Sequence, residues 1–241
     1  MRTRKNASQK LTVVLLSIIL VLCCTIGGTL AWLTDKTETV TNTFTAGEVD
    51  ITLKETKITV DEDTGTITYA DEPAEGVSNA YPAIPGATYK KDPTVAVVEG
   101  SEDCYLFVKF EYSENADTYL NYQSNLTQDD GWKKVSTGNG SPEVWYRVVY
   151  KADEIRSFTL LEDLGATAGI TLEIDPAQVT NQTKDEAAEQ SLKWTAYAVQ
   201  FNYLKDDTGA ISGDSVEAAT KAWAVLTASN PAVYPTRTEN S

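Results

Sequence analysis

The chain has 241 residues, a formal net charge of −15 and no histidine. An acidic surface repels nucleic acid and anionic membrane, and the missing histidine removes Ser-His-Asp triads, histidine general bases and the two-histidine zinc helix together. No enzyme of those kinds and no cofactor is therefore expected.

Arg2, Arg4, Lys5 and Lys10 precede an uncharged apolar run from Leu11 to Ile26, and the small segment Gly27-Gly28-Thr29-Leu30-Ala31 follows. A basic start, an apolar run and a small residue at the cut make a secretory signal peptide. The run is about 16 residues, short of the roughly 20 that span a bilayer comfortably. A cleaved signal helix over residues 1–31 is therefore preferred to a membrane anchor. Leu22 before Cys23 does not provide the small residue that lipid attachment needs. Beyond this segment Cys104 is the remaining cysteine, so no internal disulfide is expected and the core must hold the fold. Its setting in an apolar strand makes it a buried small hydrophobe.

Threonine stands at Thr37, Thr39, Thr41, Thr43 and Thr45, with Glu38, Val40, Asn42 and Phe44 between. Period two with β-branched residues predicts a strand. Val49, Ile51 and Leu53 predict the next one. Ile58 with Val60, and Ile67 with Tyr69, flank Asp61-Glu62-Asp63-Thr64-Gly65 and predict a hairpin. Its acidic turn lacks the spacing of an EF-hand calcium loop.

Residues 71–93 predict a long connection, because Pro73, Pro82, Pro85, Gly86 and Pro93 interrupt ladder hydrogen bonding. Val95 and Val97 begin another strand. Cys104, Leu106, Val108, Phe110 and Tyr112 then share one strand face. Lys109 and Glu111 on the other face predict that it is at least partly wet.

Residues 113–142 are polar and mixed, with Trp132 as an anchor. Strands are predicted over 144–150, 158–161, 170–174 and 194–203, the last followed by the turn Asp206-Asp207-Thr208-Gly209. A short helix is predicted over 183–192 and a longer one from Ser215 to Leu226. Asp214 is its predicted cap, with Glu217 three residues on as in a capping box. Trp132, Trp145, Trp194 and Trp223 could line a carbohydrate-binding face, but aromatic residues in such elements are more often core.

These elements predict a mainly all-β fold, a two-sheet β-sandwich with one or two short helices, preceded by the signal-peptide helix. The expected organisation is signal peptide 1–31, a mobile N-terminal strand 32–46 and a sandwich domain 47–241.

The words Gly27-Gly28-Thr29-Leu30-Ala31-Trp32-Leu33-Thr34-Asp35 and Asn42-Thr43-Phe44-Thr45-Ala46-Gly47 resemble the start of the TasA/camelysin family. Pro85-Gly86, Lys91-Asp92-Pro93 and Ala196-Tyr197-Ala198-Val199-Gln200 also resemble clostridial members of this group. The resemblance implies export through a SipW-type signal peptidase, with cleavage between Ala31 and Trp32. It implies that the sandwich is jelly-roll-like, and that the chain is a secreted structural protein of the biofilm matrix or cell surface that forms fibres. In such fibres the freed N-terminal strand of one subunit completes the sheet of the next. Trp32, Val40 and Phe44 are then the pocket fillers of the donor strand.

A strand added at a sheet edge gains backbone hydrogen bonds, with alternate side chains in pockets. Head-to-tail exchange does not close, so it makes filaments. The expected partners are copies of the chain or related matrix subunits, and the signal peptidase during export. The membrane is met only through the signal peptide before cleavage. Camelysins are also classed as metallopeptidases. A zinc site made of carboxylates alone would be unusual, so a secreted metallopeptidase is the alternative. A monomeric surface adhesin or carbohydrate-binding module is a further one.

Overall fold

The computed structural model of the protein describes residues 41–43, 49–61, 64, 66–135, 140–165, 169–201, 204–206, 209–211 and 213–229. Strands dominate, as the period-two patterns require. They are β1 (Thr41–Thr43), β2 (Ile51–Glu55), β3 (Ile58–Val60), β4 (Ile67–Tyr69), β5 (Ala74–Glu75), β6 (Thr88–Tyr89), β7 (Thr94–Val97), β8 (Cys104–Tyr112), β9 (Leu120–Tyr122), β10 (Lys133–Lys134), β11 (Glu143–Val149), β12 (Ser157–Thr159), β13 (Leu172–Ile174), β14 (Leu192–Gln200), β15 (Lys205–Asp206) and β16 (Gly209–Ala210). The helices are α1 (Ala116–Tyr119), α2 (Lys184–Ala188) and α3 (Val216–Ser229).

The main sheet has the order β1-β14-β8-β11-β10. Its axis is the antiparallel pair β8 and β14, in register from Leu192 opposite Tyr112 to Gln200 opposite Cys104. A second sheet has the order β12-β7-β2-β5, and a third joins β6, β13 and β9. The predicted hairpin forms from β3 and β4, with Ile58 opposite Tyr69. Within its turn Asp61 accepts hydrogen bonds from the Thr64 amide at 2.7 Å and hydroxyl at 2.8 Å, the ordinary way an aspartate closes a turn.

The fold is the expected mainly-β sandwich. One face of the main sheet presents Leu106, Val108, Phe110, Trp194, Ala196 and Ala198 to Ile51, Leu53, Val95 and Val97 of the second sheet. The alternation read from Val49, Ile51 and Leu53 therefore points inward as predicted. The connection over 71–93 adds only the two-residue strands β5 and β6.

The second face of β8 corrects the reading of a partly wet surface. Tyr105 and Phe107 are fully buried, and Lys109 is only 7% exposed. The cause is α3, whose Ala219, Ala222, Trp223 and Leu226 recur at helical spacing and lie on this face. The Trp223 ring sits 5.1 Å from that of Phe107 and 5.4 Å from that of Tyr197. The main sheet is thus the middle of three layers. Towards the end of this face polarity returns, where Glu111 pairs with Lys109 at 2.8 Å.

The cap of α3 also moves. Ser215 Oγ accepts the Ala218 amide at 3.1 Å, which makes Ser215 the capping residue. Asp214 instead pairs with Lys133 at 2.7 Å. Its carboxylate is drawn sideways to β10 rather than onto the helix.

Candidate functional site

β1 pairs in parallel with β14, with Thr41, Asn42 and Thr43 level with Thr195, Ala196 and Tyr197. It is the one parallel pairing among the described strands, and it lies at the edge of the main sheet. A parallel neighbour cannot be supplied by a tight hairpin. It comes either from a distant part of the same chain or from another chain. On β14, Trp194, Ala196 and Ala198 face the sandwich core, and Tyr197 and Val199 face α3. Val40 and Phe44 have the sequence parity of Asn42, which is level with the core residue Ala196. Ala31, Trp32, Val40 and Phe44 themselves lie outside the described residues, as does the expected boundary at Gly47.

A second constellation was not read from the sequence. Glu55 is the last residue of β2 and continues the inward alternation of Ile51 and Leu53, so its carboxylate enters the core at 2% exposure. A buried charge is costly unless paired and hydrogen-bonded. Lys91 Nζ lies 3.0 Å from Glu55 Oε1 and 3.3 Å from Oε2. Asn79 Nδ2 donates to the same Oε1 at 3.0 Å, and the Tyr81 hydroxyl donates to it at 2.9 Å.

Asn79 is itself fixed from both sides. Its Nδ2 also donates to the Thr56 carbonyl at 2.8 Å, and its Oδ1 accepts the Ile58 amide at 2.9 Å. The Lys91 ammonium lies 5.3 Å from the Tyr81 ring centroid and 5.2 Å from that of Trp194. The Lys91 amide donates to Thr171 Oγ1 at 2.8 Å, and that hydroxyl donates back to the Lys91 carbonyl.

Burial, and then the Glu55 charge, push the Tyr81 hydroxyl far above its ordinary range, so it stays a donor. Burial works against ionisation of nearby Asp92. It is outweighed by hydrogen bonds from the Thr56 amide at 2.8 Å and hydroxyl at 2.7 Å, and by Lys90, so Asp92 sits below the usual carboxylate value. The parity of β2 carried a signal for Glu55. Nothing local pointed to Asn79 or Lys91.

Residues 6–64 match the family described as camelysin metallo-endopeptidase. Over this stretch the chain is similar to the camelysin family. The match bears out the resemblance read from Gly27–Asp35 and Asn42–Gly47, and the family includes TasA. It covers β1, β2 and β3 and stops short of Asn79 and Lys91. No curated protein and no solved structure gives a match.

The camelysin description implies a metal, and the described residues do not fit one. Among them no three cysteine, aspartate or glutamate side chains converge as a ligand group. The described cysteine, Cys104, is fully buried, and burial pushes its thiol up to about 12. No metal-dependent step is therefore derived for this chain. Trp132, Trp194 and Trp223 are enclosed in the core, as expected for them. Trp145 is partly exposed and donates from Nε1 to Glu143 at 2.9 Å.

Proposed function

We propose that the protein is an exported structural subunit of the extracellular matrix or cell surface, which assembles head to tail into fibres by exchanging its N-terminal strand. The observation that carries this reading is the parallel edge strand Thr41–Thr43 on β14. Its partner lies far away in sequence, so the same slot accepts the same strand from a second copy with the same backbone hydrogen bonds. The two arrangements then differ mainly in chain entropy and concentration. Cleavage between Ala31 and Trp32 by a SipW-type peptidase frees the strand. Trp32, Val40 and Phe44 supply the side chains that fill the acceptor, all three with the sequence parity of Asn42, which is level with the core residue Ala196. Because each subunit gives one strand and takes one, the assembly stays open-ended.

The test compares a chain beginning at Trp32 with one beginning at Gly47, by electron microscopy and size-exclusion chromatography. Filaments are expected only from the longer chain, and a synthetic 32–46 peptide is expected to bind the shorter one. Equal assembly by both, or by neither under any condition, refutes the exchange.

The family description favours a second reading, a secreted metallo-endopeptidase. Casein digestion by the pure protein that a chelator abolishes would establish it. No such digestion is expected.

A further inference from the structure

The buried Glu55–Lys91 pair has no part in strand exchange, yet its chemistry is specific. An amine, a primary carboxamide and a carboxyl group meet in an enclosed space. We propose that Lys91 Nζ and Asn79 Cγ become joined in an amide cross-link, formed by the folded chain itself with Glu55 as the proton carrier.

The placement supports each role. Lys91 Nζ and Asn79 Nδ2 both lie 3.0 Å from the same oxygen, Glu55 Oε1, so they are separated by at most twice that distance. The orientation of the Asn79 amide is set by the backbone, since Oδ1 faces the Ile58 N–H and Nδ2 faces the Thr56 carbonyl. The nitrogen that must leave therefore faces the carboxyl group that can protonate it. The rings of Tyr81 and Trp194 cover the Lys91 head, and Glu55, Asn79 and Lys91 are all buried. Thr171 holds the Lys91 backbone in place.

In the reaction a proton first passes from Lys91 Nζ to Glu55. In an apolar enclosure this removes two ions that are costly to keep from water. The freed amine attacks Asn79 Cγ, and a new C–N bond forms. Charge developing on Oδ1 is met by the Ile58 amide at 2.9 Å, which acts as an oxyanion donor. Glu55 passes its proton to Nδ2, the Cγ–Nδ2 bond breaks, and ammonia leaves. The surplus proton of the attacking nitrogen returns through Glu55 to the ammonia, so ammonium is released and the Glu55 carboxylate is regenerated. No oxidant, metal or nucleotide is consumed. Holding the groups together in the folded state supplies the effective concentration that makes such an attack practicable. The tie closes the proline-rich connection on itself, three residues before β7 begins at Thr94.

Intact-mass measurement and tryptic mapping of the purified folded protein test this directly. The mass is expected to fall short of the sequence mass, taken from the observed N-terminus, by one ammonia. Trypsin is expected to stop cutting after Lys91, and the peptide that begins at Ile58 is expected to stay joined to the one that begins at Lys91. Lys91→Arg and Asn79→Ala are expected to restore full mass and separate peptides. Glu55→Gln keeps the side-chain size and is expected to abolish the link. A wild-type protein of full mass with separate peptides overturns the proposal, whatever the variants do. A deficit of one water instead of one ammonia moves the bond to Glu55 and overturns it equally. A link formed undiminished in Glu55→Gln refutes the role of Glu55.

Discussion

Replacing Trp223 by alanine tests whether α3 is a structural layer of the sandwich. Trp223 is 5% exposed, and its ring contacts those of Phe107 and Tyr197 on the second face of the main sheet. Truncating a buried tryptophan removes its transfer free energy and leaves a cavity, a loss of about 3–5 kcal/mol. That is a large part of the roughly 5–15 kcal/mol that holds a domain folded. With a urea slope of about 2 kcal/mol/M, the midpoint falls by roughly 1.5–2.5 M. Far-UV circular dichroism is the better probe, because the substitution removes a fluorophore. Trp145→Ala is the control. That ring is partly exposed, and its loss is expected to cost only about 1 kcal/mol. If Trp223→Ala shifts the midpoint no more than Trp145→Ala does, α3 does not close the second face and the three-layer reading fails.

Asp92 is held below its ordinary value of 3.8, so its ionised form stabilises the native state above that pH, and the benefit is lost as pH falls through and below it. Asp92→Asn is therefore expected to unfold more easily in urea at neutral pH, with the gap to wild type closing in acid. A gap that widens in acid contradicts the assigned hydrogen bonds. The Cys104 thiol, buried and pushed up to about 12, is expected to resist alkylation in the native protein and to react fully in denaturant. Fast native labelling would place it elsewhere. At the start of α3, Ser215→Ala is expected to cost about 1 kcal/mol in urea unfolding and Asp214→Ala clearly less. The reverse order would restore Asp214 as the cap.

Much of the fold was legible because its signals are local. The alternation of Val49, Ile51 and Leu53 places them in the core, and the apolar positions from Cys104 to Phe110 mark the central strand, since side-chain direction along a strand depends only on parity. The helix that became α3 was visible from its own spacing. The N-terminal family resemblance was likewise carried by short contiguous words. The sequence also left the site half-written: Glu55 has the inward parity of β2, but its partners Asn79 and Lys91 lie in a proline-rich connection without a period.

What covers a face was decided elsewhere. Phe107 and Tyr105 sit on a strand face that also bears Lys109 and Glu111, so pattern alone reads as partly wet. Only the docking of α3, from the far end of the chain, makes it core. The same holds for β1, whose threonine alternation announces a strand but not a parallel place beside β14. It holds as well for the meeting of Glu55, Asn79 and Lys91 around one carboxylate oxygen. Periodicity reports the orientation of a residue relative to its own element, whereas these contacts depend on how distant elements pack, and that is set by the whole core at once.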